Sequence, residues 1–406
     1  MTRRRVAITG LGIVSPQGSD IDHAFGELCA GRSGLSVDDE TGVVVARAPF
    51  DAARWFDGRS MAGLDRISQI AVSAAEDARA DAGWREGRSP WSAERIGVFA
   101  GTGFGGTAAV SEAYRRFHGR ERIPPLSVVA AMANAPAAHI AMRAGIEGPV
   151  LTYSVACASS AVAIAAGLKD IALGEIDAAL VGGAEAALVP AMIASWQAMR
   201  TLAETRPEDP LASSRPFSQT RTGLVLGEGA AFMLIEDLDG ARRRGARIYA
   251  ELSAVGITSD AHHIAKPFMS GQVRAMRRAI EAAGLEPRDI GYCNAHGTAT
   301  PIGDETEARS LHALWGDDIQ RLRVSSTKSM HGHLLGAAGA LETVVTALAL
   351  YHRKLPPNAH CTDPDPACDL PLVIGRAEEA PALTAAISNS FAFGGTNASI
   401  VLRHAS

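Results

Sequence analysis

The chain has few cysteines, no CxxC pair, no long unbroken apolar run and no large excess of charge, and each absence removes a class of function. Five cysteines in 406 residues are an odd number without the spacing of a disulfide framework or a zinc ribbon, so reduced thiols in the cytoplasm are expected. Cys361 and Cys368 lie in a loop rich in Pro and Asp and read as bystanders. His331 and His333 flank a glycine but have no further ligands at a recognisable spacing, so no metal is expected. A net charge of −5 argues against nucleic acid as the main partner. Arg3-Arg4-Arg5 precedes an apolar stretch in the manner of a secretion signal. Thr9-Gly10-Leu11-Gly12 and Ser15-Pro16 interrupt it, and the expectation is an exposed N-terminus before a first strand. No apolar run reaches the ~18–20 residues of a membrane span without polar interruption, so no span is expected.

What the chain does have is alternation. Hydrophobic residues make up 47% and glycines number 41, which suits a tightly packed α/β protein. The length exceeds one ordinary core and predicts two domains or fused halves. Short β-like runs recur at Val6–Ile8, Ile96–Ala100, Leu151–Val155, Ala178–Val181, Ala231–Ile235, Ile248–Val255, Gly291–Asn294, Leu322–Ser325 and Ala385–Ser388. Alanine-rich helical segments lie between many of them, as at Ile67–Ala82, Ser160–Leu173, Gln272–Ala283 and Ala338–Leu350. This pattern predicts βαβ units and largely parallel sheets covered by helices. No low-complexity linker divides the chain, and Arg206–Phe217 reads as an ordered surface loop. A coarse echo runs through it. One strand leads into Cys157 and an alanine helix; later, Val324-Ser-Ser leads into Lys328, His333 and a Gly/Ala-rich helix. Two such halves back to back would bring both loops to one cleft.

Cys157, in Val-Ala-Cys-Ala-Ser-Ser, stands between a strand-like run and a helical one. A thiol at a helix start faces unpaired N–H groups and the positive end of the dipole, both of which favour thiolate. Free cysteines also serve as small core residues, so position alone leaves the role open. Two glycine-rich turns add to it: His296-Gly-Thr-Ala-Thr-Pro and Lys328-Ser-Met-His-Gly-His333. A thiolate, two histidines and a lysine suit thioester chemistry. Cysteine would take an acyl group, and two imidazole N–H donors would steady an enolate formed by loss of carbon dioxide. A buried lysine needs a counter-charge, and Glu342 is available. Two glycine motifs compete. Gly101-Thr-Gly103-Phe-Gly105-Gly106 has dinucleotide-binding form, but the acidic residue wanted about 20 positions on falls in a loop at Arg120-Glu-Arg122-Ile-Pro-Pro. It reads better as a close-packed turn. Phe391-Ala-Phe393-Gly-Gly-Thr-Asn reads as a hairpin turn, as a backbone N–H aimed at an oxyanion, or as both.

With these motifs in view, the chain resembles the β-ketoacyl-acyl-carrier-protein synthases, the condensing enzymes of fatty acid and polyketide assembly, in their elongation branch. The likeness runs from Val6-Ala-Ile-Thr-Gly-Leu-Gly-Ile-Val-Ser15 through Val-Gly-Gly-Ala-Glu185 and the Lys328–His333 turn to Asn-Ser-Phe-Ala-Phe393-Gly-Gly-Thr-Asn. The resemblance implies an α/β thiolase fold of two duplicated βαβαβαββ-type halves, 1–240 and 241–406, in a five-layer α-β-α-β-α sandwich. It implies Cys157 as nucleophile, His296 and His333 as the pair on the malonyl thioester carbonyl, and Lys328 as electrostatic lysine paired with Glu342. The amides of Cys157 and Phe393 would form the oxyanion hole, with Phe393 as gate and Phe391 in support. Thr298 and Thr300 would bind the phosphopantetheine arm, and Phe104, Trp196 and Leu224 would line the substrate pocket. Arg122 and Arg200 would dock an acyl carrier protein. No cofactor is expected on the enzyme, because phosphopantetheine arrives on the carrier. The partner expected beside the carrier is a second copy or a chain-length-factor-like subunit.

The sequence departs from the family pattern in several places. Thr222-Gly223-Leu224-Val225 stands where Asp-Gly-Phe-Val is usual, so the decarboxylation pocket loses an aromatic. Ala392 replaces a glycine in the gating turn and is expected to restrict its swing. Ser60-Met-Ala-Gly63 occupies a stretch where several cations would be expected, which leaves the docking patch thin. The altered pocket tilts the reading toward a specialised polyketide or polyene pathway over primary fatty acid synthesis. A thiolase-type cleaving enzyme would need a second, C-terminal catalytic cysteine, and Phe391–Asn397 has none. A non-catalytic carrier-binding scaffold would not need Cys157, His296 and His333.

Overall fold

The computed structural model describes residues 3–58, 61, 63–84 and 89–405. Among these, ten strands make up the main sheet. The first five are β1 (Val6–Val14), β2 (Ile96–Gly101), β3 (Val150–Tyr153), β4 (Ala178–Glu185) and β5 (Gly229–Asp237). The second five are β6 (Ala250–Ser259), β7 (Tyr292–Asn294), β8 (Arg323–Ser325), β9 (Ala385–Phe391) and β10 (Thr396–Arg403). Their order is β8-β7-β9-β10-β6-β1-β5-β4-β2-β3. Counted outward from the β6–β1 junction, each five runs first, fifth, fourth, second, third. The echo seen in the sequence is therefore a repeat of topology. The two fives meet where Val6–Ile8 pairs antiparallel with Ala250–Leu252.

The sheet is less parallel than the strand–helix alternation predicts. β2 pairs parallel with β3 and β4, and β7 with β8 and β9. The fifth strand of each half, β5 or β10, is antiparallel to both neighbours. A helical crossover keeps strand direction and a hairpin reverses it; β9 returns into β10 through the tight turn at Ala392–Gly395, which is such a hairpin.

Seven helices matter for the site: α1 (Arg66–Asp81), α2 (Thr107–His118), α3 (Ser159–Leu173), α4 (Pro190–Ala198), α5 (Met269–Ala282), α6 (Pro301–Trp315) and α7 (Ala338–His352). α1 covers the outer face of β1, β4 and β5, and α5 covers β6 and β10 with α6 against it. α3 and α7 touch each other and strands of both halves. Three apolar cores fill the spaces between, and the middle one holds α3 and α7. This is the five-layer sandwich.

Two local details bear on reading the sequence. Gly10 and Gly12, which break the N-terminal apolar run, seat α1: a Cβ on either would lie 2.0 Å from a carbonyl oxygen, of Ala78 or of Ala74. β1 therefore runs on through Val14. The windows Ala156–Leu173 and Leu335–His352 are long and apolar enough to cross a membrane by length and composition, although Lys169 and Asp170 interrupt the first and Glu342 the second. They contain the two central helices, whose apolarity serves burial between sheets.

Gly101, at the end of β2, is where α3 comes closest. A Cβ there would lie 2.2 Å from the Ser160 amide nitrogen, and helix backbone cannot yield as a side chain can. Gly101→Ala should cost ~1–3 kcal/mol and displace the start of α3. Urea unfolding checks this; an unchanged midpoint would mean that the helix can slide.

Candidate active site

The third strand of each half delivers one side of the site. β3 leads through Cys157 into α3, and β8 leads through Lys328 and His333 into α7. Between β3 and α3 the chain turns sharply at Ala156, a non-glycine residue at φ 51°. Such a left-handed residue costs ~1–2 kcal/mol and survives only where its surroundings enforce it. Ser159 does this: its Oγ accepts the Val155 N–H at 2.9 Å and donates to the Ala156 carbonyl at 2.6 Å. The turn aims Cys157 inward, and the residue is buried.

His333 Nε2 lies 3.0 Å from Cys157 Sγ, and the backbone N–H of Phe393 donates to the same sulfur. The His296 and His333 rings meet edge-on, with centroids 5.4 Å apart at 85°. Ligand atoms of Cys157, His296 and His333 all lie within 4.8 Å of one another. Behind them Lys328 forms an ion pair with Glu342, both side chains buried. Phe391 is buried and packs 6.0 Å from His296. His331 turns away: its Nε2 bonds Thr327 Oγ1 at 2.9 Å and its Nδ1 the Gly332 carbonyl at 2.7 Å, which makes it structural.

The electrostatics depart from the sequence expectation at Cys157. Burial pushes its thiol up to about 11, and the Lys328 charge and the Phe393 amide pull it only part of the way back. Desolvation outweighs the helix start, so the resting group is a neutral thiol. Burial and then the Lys328 charge hold both His296 and His333 well below the ordinary imidazole range. Both rings are neutral at pH 7.

Three buried carboxylates brace the site, and the sequence reading missed them. Glu307 accepts the backbone N–H groups of His296 at 2.9 Å and Gly297 at 2.8 Å, and Asp304 those of Phe217 at 2.8 Å and Ala299 at 3.1 Å. Their spacing of three on α6, directly after the His296 turn, was the available signal. Glu185 accepts from the amides of Gly103 at 2.6 Å, Phe104 at 3.2 Å and Gly336 at 3.0 Å. A dinucleotide phosphate would need the Gly103 and Phe104 amides; Glu185 takes them and ties the β2 turn to the approach of α7.

Trp196, Leu224 and Phe393 share one apolar cluster with Leu188, Ile193 and Leu335. Phe104 is outside that buried cluster and stands 45% exposed. Thr298 and Thr300 bring their hydroxyls within 3.1 Å of each other. Arg122 and Arg200 are exposed; Ser60 and Ala62, in the stretch where docking cations are wanting, lie outside the described residues. In this conformation the positive φ values of the gating turn fall on Gly394 (85°) and Gly395 (78°) rather than on Ala392.

Comparison with known proteins agrees with this geometry. The sequence model of the beta-ketoacyl synthase N-terminal domain matches residues 3–241, and that of its C-terminal domain matches residues 249–362. A 3-oxoacyl-[acyl-carrier-protein] synthase 2 of Coxiella burnetii is 37% identical, over 99% of this chain and 99% of its own. Among solved structures, the ishigamide ketosynthase/chain length factor superposes with a TM-score of 0.93 at 32% identity, covering 100% of both chains. A beta-ketoacyl synthase from Burkholderia phymatum does so with 0.92 at 34%, over 99% of this chain and 100% of the other.

A neutral resting thiol has a measurable signature. Below its pKa the thiolate fraction rises tenfold per pH unit, so alkylation of Cys157 by iodoacetamide should climb steadily from pH 6 to pH 10. Peptide mass spectrometry of Cys157 follows it. A plateau from pH 6 to 8 would mean a preformed thiolate–imidazolium pair instead.

Proposed function

The chain belongs to the beta-ketoacyl synthase family, and from that premise we propose how its residues divide the work of a decarboxylative Claisen condensation. The observation that carries the proposal is the meeting of Cys157, His296 and His333 within 4.8 Å beside the buried Lys328–Glu342 pair. In the first half-reaction the Cys157 sulfur attacks the thioester carbonyl of an acyl group carried on phosphopantetheine. A new carbon–sulfur bond forms and the carrier thiol leaves with the proton. The charge on the tetrahedral oxygen falls on the amides of Cys157 and Phe393. In the second, a malonyl thioester on the carrier loses carbon dioxide. The resulting enolate carbon attacks the Cys157 thioester, the carbon–carbon bond forms, and the sulfur departs and regains a proton.

His296 and His333 serve this second step as neutral N–H donors to the malonyl thioester carbonyl. A depressed imidazole pKa suits that role, because a neutral ring stabilises the enolate without giving up its proton. Thr298 and Thr300 hold the pantetheine arm, and Arg122 and Arg200 meet the acidic carrier protein. The enzyme itself binds no cofactor. Residues 1–240 and 241–406 are its two halves, each supplying one wall of the cleft. Five free thiols fit a reducing compartment, the cytoplasm.

A partner subunit fits one face. Among the described residues β3 ends the sheet with its outer edge unpaired, and Leu151 on it is 47% exposed. Tyr114 and Phe117 on α2 and Val128 beyond it are exposed too. Such an edge and such side chains call for cover. A second copy, or a chain-length-factor-like subunit as in the ishigamide ketosynthase/chain length factor, would supply it. That likeness and the loss of the aromatic at Leu224 favour a specialised polyketide or polyene pathway over primary fatty acid synthesis.

His296→Ala and His333→Ala test the division of labour. Each should depress condensation by ~10²–10³, the usual cost of one preorganised donor, and acyl transfer to Cys157 far less. Single-turnover acylation measured beside full turnover on acyl- and malonyl-carrier protein reads both. Equal losses in the two half-reactions would show that the imidazoles act on the thiol rather than on the enolate.

A further inference from the structure

Phe393 is held at both ends by different parts of the site. Its amide donates to the Cys157 sulfur, and its ring stacks on Trp196 with centroids 6.0 Å apart at 21°. Trp196 lies on α4 and is buried among Leu188, Ile193, Leu224 and Leu335. It is the fixed member of the pair. Phe393 is the movable one: it is half-buried on a turn whose next residues, Gly394 and Gly395, carry the positive φ angles. That turn is also latched from behind. The Gly394 N–H donates to the Ile264 carbonyl at 2.7 Å, the Asp260 N–H donates to the Gly395 carbonyl at 2.8 Å, and Asn397 Nδ2 donates to Asp260 Oδ1 at 2.7 Å.

We infer that Trp196 is the residue that couples the shape of the acyl chain to the oxyanion hole, by stacking on the gate residue whose amide serves Cys157. The inference rests on the condensing-enzyme reading above and adds a selectivity to it. An acyl group on Cys157 meets, through Phe393, the apolar cluster that holds Trp196. A chain lying between two rings needs about 3.5 Å of contact distance on each side, about 7 Å in all. The rings are at most 6.0 Å apart, so they must part by at least about 1 Å, and Phe393 is the one that moves. A flat, conjugated chain asks for the smallest parting and regains aromatic contact on both faces. A saturated chain carries hydrogens above and below its backbone, asks for more, and draws the Phe393 amide further from the sulfur. Trp196 thereby admits short chains without disturbance, flat long chains at small cost and saturated long chains at a large one.

The test is acylation of Cys157 by carrier proteins loaded with a ladder of short, long saturated and long conjugated acyl groups, in wild type, Trp196→Leu and Trp196→Phe. Trp196→Leu should gain about tenfold for long saturated chains relative to short ones and lose the preference for conjugated chains. Trp196→Phe keeps a smaller ring on Phe393 and should change in the same direction by about threefold, which decides the matter if the leucine variant fails to fold. KM should carry the change for long chains, read as the ratio of long-chain to short-chain acylation within each variant. A length profile identical to wild type in the phenylalanine variant, or a uniform loss at every length, would overturn the role of Trp196. Wild-type protein that is acylated at no length would instead overturn the condensing-enzyme reading on which it rests.

Discussion

The buried pair Lys328–Glu342 is the constraint around which the site is arranged. Two ions without access to water are costly, and their attraction repays the cost only at close range. Lys328 sits just after β8 and Glu342 on the second turn of α7, so the pair pins the loop carrying His333 to the central helix. Removing one partner alone would leave a bare buried charge, a loss of about 3–5 kcal/mol. What the pair supplies in return is a fixed positive charge among groups that must hold particular protonation states. That charge lowers the thiol of Cys157, lowers the imidazoles of His296, His331 and His333, and lowers the carboxyls of Glu307 and Glu342 against the upward push of burial.

Burial and this single charge divide the site. For a thiol they oppose each other and burial wins, leaving about 11. For an imidazole they act together and both rings are neutral. The outcome is a site without a standing thiolate–imidazolium pair, in which negative charge appears only during reaction and meets N–H donors already in place. The carboxylates follow the same economy of placement. Glu307 and Asp304 hold the His296 turn through backbone N–H groups, and Glu185 joins the β2 turn to the approach of α7. Phe393 then links this polar centre to the apolar pocket, one end on sulfur and the other on Trp196.

Much of this was legible in the sequence where a local pattern carries a physical demand. The strand and helix runs recur because period and composition report burial, and the extended β1 differs only because Gly10 and Gly12 serve packing rather than a turn. The pairing of strand–Cys157–helix with strand–Lys328–His333–helix was visible as an echo and is borne out as equivalent third strands. What was not legible depends on surroundings that no short window contains. The thiol's upward shift comes from burial by distant elements. Glu185, Asp304 and Glu307 look like ordinary surface acids until their backbone partners are known. The antiparallel fifth strands follow from return paths, and the exposure of Phe104 from a fold position that motif spacing does not define.

Burial sets the resting protonation of the nucleophile, and the Lys328 charge is the largest influence opposing it. The direct measurement is the rate of Cys157 alkylation by iodoacetamide at fixed pH in the double variant Lys328→Met, Glu342→Gln, which removes both charges and so leaves no bare ion to unfold the core. Loss of the lysine should raise the thiol pKa and loss of the Glu342 charge should lower it by less, because Lys328 is the larger of the two influences, so alkylation at pH 9 should fall in a protein that unfolds at the same urea concentration as wild type. An unchanged rate in that folded variant would show that Lys328 holds structure only and that the thiol is set by burial and the Phe393 amide alone.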